Sequence, residues 1–438
     1  ATIFFLPAVC LGTIGPVAAK MAVEAHDETG RAIGNVYAWG AIGSIVGTFL
    51  TGYWLIQVLR TSMILATAAG ILGLIGLWML GAQRVRQGAV PTGQVALLLV
   101  LLGAIAPWPL TEGRAEVLER TTLERETRWT RRTVTYSRDS VYYHIRVQHL
   151  PHPRRGSTIA LYLDNLIHGL WVPREPLALE YEYEKVYALI TRRKLGVPPS
   201  QVTGWPAVRA FFVGGGAYTF PRYLEAVSPG STSVVSEIDP AVLEACHAAV
   251  GLPRDTPIRS LIGDARRTVA TGAAQGPFDI IYGDAFNDFS VPWHLTTVEF
   301  NRKLKALLAP DGLYLMNLID LYSPDYPGKS RFVAAMVRTL EAVYGPDNIT
   351  VIACQGEAYA PAGSTVRTTF VIACSLAPLD LSRLALDPQR DPPRVVGDYL
   401  LPVILKPEAR EALRRERFVL TDEYAPVDQL LIPVAASR

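Results

Sequence analysis

Three carboxylates between residues 209 and 288 are spaced to act on a nucleoside. Glu237 ends the apolar run Ser233–Ser236, Asp264 follows the next segment, and Asp284 follows Phe278–Gly283. Acids at the carboxyl ends of successive strands line the crevice where open α/β sheets bind ligands. Ahead of them, the buried-strand pattern Ala210–Val213 runs into Gly214, Gly215 and Gly216. Glycine there lets the backbone turn tightly and approach a ligand closely. Glu237, about twenty residues past this turn, suits ribose hydroxyls, and Asp284 lies nearest the chemistry. Thr219 stands where a dinucleotide fingerprint has its third glycine, so a plain NAD site is disfavoured.

The elements that must position these acids follow from the alternation of strand-like and helix-like runs, the pattern of βαβ architecture. Asp239–Pro240 is an N-cap and first-turn pair opening a helix over Ala241–Val250. Leu313–Leu318 reads as a fifth strand and Lys329–Val343 as a helix, and Ile349–Cys354 and Thr368–Cys374 close the sheet. Upstream, TVTYSRDSVYYHIRVQHL and STIALYLDNLIHG read as a small antiparallel layer, followed by a helix over Leu179–Ile190. The chain thus divides into transmembrane helices (1–110), a small β-rich part (111–185), a Rossmann-like catalytic domain (186–378) and a C-terminal extension (379–438) that packs over the surface.

The first 110 residues differ in kind. Ile3–Ala19, Ala32–Val58, Met63–Gly81 and Val95–Leu110 are long apolar runs, each near the ~20 residues that cross a bilayer. Because the sequence opens inside such a run, further residues are expected ahead of it. Arginines after the fourth run, Arg114 to Arg132, place the following domain on the cytoplasmic side of an inner membrane by the positive-inside rule. The chain has 438 residues and a net charge of +2, which gives no reason to expect nucleic acid as a partner. Four scattered cysteines suggest neither disulfides nor zinc, and His149 and His152 read as solvated loop residues, so no metal is expected.

The strings GGGAYTFPR, SEIDP, GDAR and YGDAFND, in this order, resemble the polyamine aminopropyltransferases, the spermidine synthases, and within them a bacterial branch fused behind a membrane region. The resemblance implies a nucleoside site of Gly214–Gly216, Glu237 with Ile238 on the ribose, and Asp264 with Ala265 at the adenine. It makes Asp284 the catalytic acid and decarboxylated S-adenosylmethionine the co-substrate, with no other cofactor. It also suggests a homodimer. Where the family usually has Asp after the glycines, this chain has Ala217. Tyr143 and His168 stand for glutamines, and Tyr183–Glu184–Lys185 for the family's YHE.

An aliphatic amine, with a pKa near ~10, arrives protonated and needs a carboxylate to take its proton before it attacks. Asp284 suits that task, with Asp164, Tyr183, Glu184 and Asp288 available to hold the cation. The expected reaction moves an aminopropyl group to an amine such as putrescine and releases 5′-methylthioadenosine. Two alternatives stay open: methyl transfer or sulfonium cleavage with intact S-adenosylmethionine, for which Ala217 makes room, and a membrane sensor that binds without turnover.

Overall fold

The computed structural model describes residues 2–25, 29–55, 61–85, 133–152, 155–286, 291–322, 330–354, 365–379, 381, 403–404, 413 and 418–436. Two compact units divide at Arg114 and Ala115. The run Val95–Leu110, the arginine-rich segment to Arg132, and Asp288 lie outside the described residues.

In the first unit, α1 (Thr2–Ala25), α2 (Thr29–Leu50) and α3 (Thr61–Val85) cover the first three apolar runs, and α2 continues through a π turn to Leu55. Among the described residues, Thr29–Leu55 is the one helix long and apolar enough to cross a membrane. Its large apolar side chains point outward: Tyr37, Trp39, Ile45, Phe49, Tyr53 and Trp54 are all more than half exposed.

The second unit holds two sheets. Strands β1 (Thr133–Asp139), β2 (His144–His152), β3 (Gly156–Leu163) and β4 (Leu166–Trp171) form an antiparallel sheet in that order. His149 and His152 are therefore strand residues, a correction to their reading as loop, since the pairing of β2 with β3 runs on to His152. Helix α4 (Glu182–Lys194) starts three residues later than its apolar pattern suggests, with Tyr181 extended at its N-cap. That shift takes Glu180 off the helix, where His152 and Arg155 face it at 3.5 and 3.7 Å, while Glu184 is buried in the helix's first turn.

The large sheet begins with β5 (Arg209–Val213), whose Ala-Phe-Phe-Val run is buried, as a strand covered on both faces must be. Then come α5 (Thr219–Val227), β6 (Thr232–Glu237), α6 (Pro240–Ala245), β7 (Arg259–Ile262), α7 (Ala265–Ala270), β8 (Phe278–Gly283), α8 (Val298–Ala306), β9 (Leu308–Tyr322), α9 (Arg331–Tyr344), β10 (Ile349–Ala353), β11 (Val366–Ser375), β12 (Val403–Ile404) and α10 (Val427–Ala436). The strand order is β12-β10-β11-β9-β8-β5-β6-β7. The chain runs outward from β5 to β7, then returns to lay β8 on the other side of β5. All pairs from β7 to β9 are parallel, and the β9–β11–β10–β12 edge is antiparallel. Strand β9 outruns its apolar stretch because ten of its residues pair with β11. The order reverses between β5 and β8, and their carboxyl ends open the crevice there.

The tail does more than cover the surface. Leu420, Val427, Leu430 and Leu431 are buried in the same core as α8 and α9. Leu420 closes the join in both directions: its N–H donates to Thr339 Oγ1 (2.9 Å) and its carbonyl accepts from Val298 N (2.8 Å).

Candidate active site

The glycine turn is wedged between two neighbours. Gly214 has φ of +100°, and a β-carbon there would sit 2.2 Å from the Asp284 carbonyl oxygen. Gly216 has φ of +49°, and its β-carbon would lie 2.6 Å from the His168 carbonyl oxygen. These positions need glycine for conformation and for space. The turn thereby brings β5, the end of β8 and the β4 layer together at one point.

Beside it, Glu237 ends β6 and is only 6% exposed. Its Oε2 accepts from Gly215 N (3.0 Å) and its Oε1 from Asp239 N (2.9 Å). Burial raises its pKa to about 7 against those two hydrogen bonds. A carboxylate has about four lone-pair sites, so Glu237, which lines the cavity, keeps acceptor capacity for a ligand's hydroxyl. Asp239 is locked in turn by accepting from Ala241 N (2.8 Å), which caps α6 as its sequence suggests.

Asp284 follows β8 directly. Tyr183 OH donates to its Oδ2 (2.9 Å) and Asn317 Nδ2 to its Oδ1 (2.8 Å). Its pKa is raised because burial outweighs these two donors. Tyr187, one turn along α4, donates to the Gly283 carbonyl (3.0 Å), which ties the helix to the strand end that carries Asp284. Glu184 lies behind, with its pKa pushed well up by burial first and by the charge of Asp284 second.

At the other end, Asp264 caps α7 by accepting from Arg267 N (3.1 Å), while its Oδ2 lies 2.7 Å from His294 Nε2. The His294 contact is the main reason its pKa is lowered, although partial burial opposes it. Arg266 donates to the His294 carbonyl (2.7 Å) and to Thr297 Oγ1 (3.2 Å), and its other nitrogen pairs with Asp422 of the tail. Asp422 thus holds the arginine that holds His294. Arg266→Gln and Asp422→Asn should each raise the Kd for 5′-methylthioadenosine about three- to tenfold, with kcat changed less than twofold. Loss of one charge-assisted contact acting through a neighbour is of that size, and calorimetry against turnover separates the two effects.

These groups line a cavity of about 740 Å³, of the size that takes small-molecule ligands. Gly214–Gly216, Glu237, Ile238, Asp264, Ala265, Asp284 and Tyr183 all border it. Glu184 borders a smaller recess behind the glycine turn. Asp164 does not reach the cavity, which corrects its reading as an amine contact. It sits exposed in the β3–β4 turn with φ of 54°, its Oδ1 accepting from His144 N (2.9 Å) and its carbonyl from Arg146 (2.7 Å). Sequence reasoning missed His294, Asn317, Tyr181 and Arg367, which also line the cavity. Burial holds His168 neutral, with its pKa lowered to about 4, and pushes Tyr143 up to about 12. Ala217, 2% exposed, rests its methyl on Gly169, where a β-carbon would come within 2.3 Å.

No family model matches the chain. Among curated proteins, a "Probable polyamine aminopropyl transferase" of Bifidobacterium longum is 26% identical over 139 residues, 32% of this chain and 29% of that protein. The polyamine aminopropyltransferase of Vibrio vulnificus is 32% identical over 110 residues, 25% of this chain and 37% of that one. Over these stretches the chain is similar to polyamine aminopropyltransferases. An N-terminal histidine N-methyltransferase of Emericella nidulans also aligns, 30% identical over 192 residues, 41% of this chain and 32% of that protein. The chain spans about a third of the length of the curated relatives it matches. A crystal structure of a probable spermidine synthase from Corynebacterium glutamicum superposes with a TM-score of 0.52 and 20% identity, covering 66% of this chain and 97% of the other. That likeness gives the fold of the second unit, a Rossmann-like sheet.

Proposed function

We propose that this chain is an aminopropyltransferase that acts from the membrane surface on decarboxylated S-adenosylmethionine and a small amine such as putrescine. The observation that carries this reading is Asp284, held by Tyr183 and Asn317 where the nucleoside crevice opens into the main cavity. Glu237 and Ile238 take the ribose, and Asp264, Ala265 and His294 take the adenine edge. The acceptor amine enters past Asn317 and gives a proton to Asp284. Its freed lone pair attacks the methylene carbon next to the sulfonium, a nitrogen–carbon bond forms, and the carbon–sulfur bond breaks. The bonding pair stays on sulfur, so neutral 5′-methylthioadenosine leaves, and Asp284 passes the proton to solvent. A sulfonium leaves readily, so positioning the two reactants supplies most of the rate. A raised pKa at Asp284 makes it a stronger base for this transfer.

Helix Thr29–Leu55 supports attachment to the bilayer, since its exposed Tyr37, Trp39, Tyr53 and Trp54 are the side chains that favour lipid and its interfaces. The arginines between Arg114 and Arg132 support a cytoplasmic position for the second unit.

Purified full-length chain, offered both sulfonium nucleosides with and without a panel of amines, is read by mass spectrometry. 5′-Methylthioadenosine together with an amine heavier by one aminopropyl unit is the expected result. S-adenosylhomocysteine would instead assign methyl transfer, the chemistry of the Emericella relative's name.

A further inference from the structure

Two paired strands supply one wall of the main cavity, and their side chains change character along it. Asn317 and Ile319 of β9 border the cavity, as do Arg367 and Thr369 of β11. In the pairing of these strands Ile319 lies opposite Thr369, and Arg367 lies opposite Leu321, four residues beyond Asn317. Directly opposed residues share a face of the sheet, so the four form one stripe, while Thr368 and Phe370 are buried on the other face. The inner end of the stripe, at Asp284, accepts hydrogen bonds. Asn317 is 6% exposed, its Nδ2 donates to Asp284 (2.8 Å), and its Oδ1 has no hydrogen-bond partner. A buried polar atom left unpaired calls for an explanation, and an N–H on the attacking nitrogen would supply the partner. Ile319, in the middle, offers only hydrocarbon. The outer end donates: among the described residues, Arg367 is the one lysine or arginine that borders the cavity, and the Thr369 hydroxyl stands two residues from it.

An acceptor laid along this stripe needs a nitrogen at one end, methylenes in the middle and an anion at the other. A guanidinium is planar, always charged, and meets a carboxylate with two parallel N–H donors. A second ammonium at that end would meet like charge instead. We propose that Arg367 determines specificity for the acceptor by taking a carboxylate, so that an amine ending in a carboxylate is preferred over a diamine of the same length. Strands rise about 3.4 Å per residue, so four residues separate the two ends by roughly 14 Å, which an arginine side chain and a short carbon chain share. Glu180 and Glu182 also border the cavity and are the groups that would favour a diamine. Glu180 faces His152 and Arg155 at 3.5 and 3.7 Å, which offsets its charge. Glu182 opens α4, at the helix end whose backbone N–H groups offset negative charge. The near end as the attacking amine rests on the aminopropyl reading, but the preference at the far end is a matter of binding and does not depend on turnover.

The test is calorimetric titration of the full-length chain, saturated with 5′-methylthioadenosine, with three amines that share a five-carbon chain and differ at its far end: pentylamine, cadaverine and 5-aminopentanoate. Wild-type protein should bind 5-aminopentanoate at least about tenfold more tightly than either of the others. Arg367→Gln should weaken 5-aminopentanoate about 10- to 100-fold, the size of a lost hydrogen bond to a charged group. Arg367→Lys, which keeps the charge without the fork, should recover part of that loss. Both variants should bind pentylamine and 5′-methylthioadenosine within about twofold of wild type, which also shows that they are folded. Cadaverine binding as tightly as 5-aminopentanoate, or more tightly, overturns the proposal and gives the far end to Glu182, and that comparison needs no variant. So does an Arg367→Gln protein with unchanged affinity for 5-aminopentanoate. Mass spectrometry of the same amines with decarboxylated S-adenosylmethionine separates the proposal from the reaction. If 5-aminopentanoate is held through Arg367 yet no amine gains an aminopropyl unit, the reaction assignment falls and the specificity stands. If cadaverine gains the unit while 5-aminopentanoate does not bind, the specificity falls and the reaction stands.

Discussion

Asp284→Asn is expected to lower kcat about 10²- to 10⁴-fold, the usual worth of a positioned general base, while 5′-methylthioadenosine binds within twofold of wild type. The substitution keeps the size of the side chain and one acceptor oxygen. The Tyr183 hydroxyl and the Asn317 amide, now 2.9 and 2.8 Å from the carboxylate, can turn to suit an amide. What disappears is the negative charge, and with it acceptance of the amine's proton. The pH profile carries a second check. Burial raises Asp284 above the ordinary aspartate range, so the ionised base, and with it kcat/KM, should be lost as pH falls through that raised value. In the Asp284→Asn enzyme the same acid limb should be absent from whatever rate remains. A variant with wild-type turnover would remove Asp284 from the chemistry and leave the crevice as a binding site.

Much of this site was legible because its signals are local. The run from Ala210 through Gly216, the acid ending β6, the Asp239–Pro240 cap and the acid after β8 are each written within a few residues. Parallel strands buried on both faces announce themselves as continuous apolar runs. What stayed hidden is what topology assembles. Tyr183 meets Asp284 across 101 residues, His294 meets Asp264 across 30, and Arg266 meets Asp422 across 156. No window of sequence contains those pairs. Asp164 shows the opposite error, a local motif taken for a ligand contact when its turn consumes the carboxylate. Glu180 shows a third, because the helix starts three residues later than its pattern suggests and leaves that acid outside it.

The glycine turn couples fold to chemistry, and Gly214→Ala should expose that coupling. A left-handed backbone costs a residue with a side chain about 1–2 kcal/mol. At Gly214 the new methyl also falls 2.2 Å from the Asp284 carbonyl oxygen, an overlap that forces backbone to move and adds about 1–3 kcal/mol. The backbone that moves is the segment carrying the base, pinned by Asp284 N donating to Val213 O at 2.8 Å. A displacement of about 1 Å at a reacting group costs on the order of 10²-fold in rate. Gly272→Ala supplies the contrast, since Gly272 has φ of +71° with nothing within 4 Å of its would-be β-carbon. That variant should pay the conformational term alone, with a modest fall in thermal midpoint and wild-type kcat. Gly214→Ala should melt lower still and, in the fraction that stays folded, lose turnover about 10²-fold. If the two variants instead lose stability equally and keep full activity, the turn is only a hinge in the backbone, and the close approach of β5 to Asp284 plays no part in placing the base.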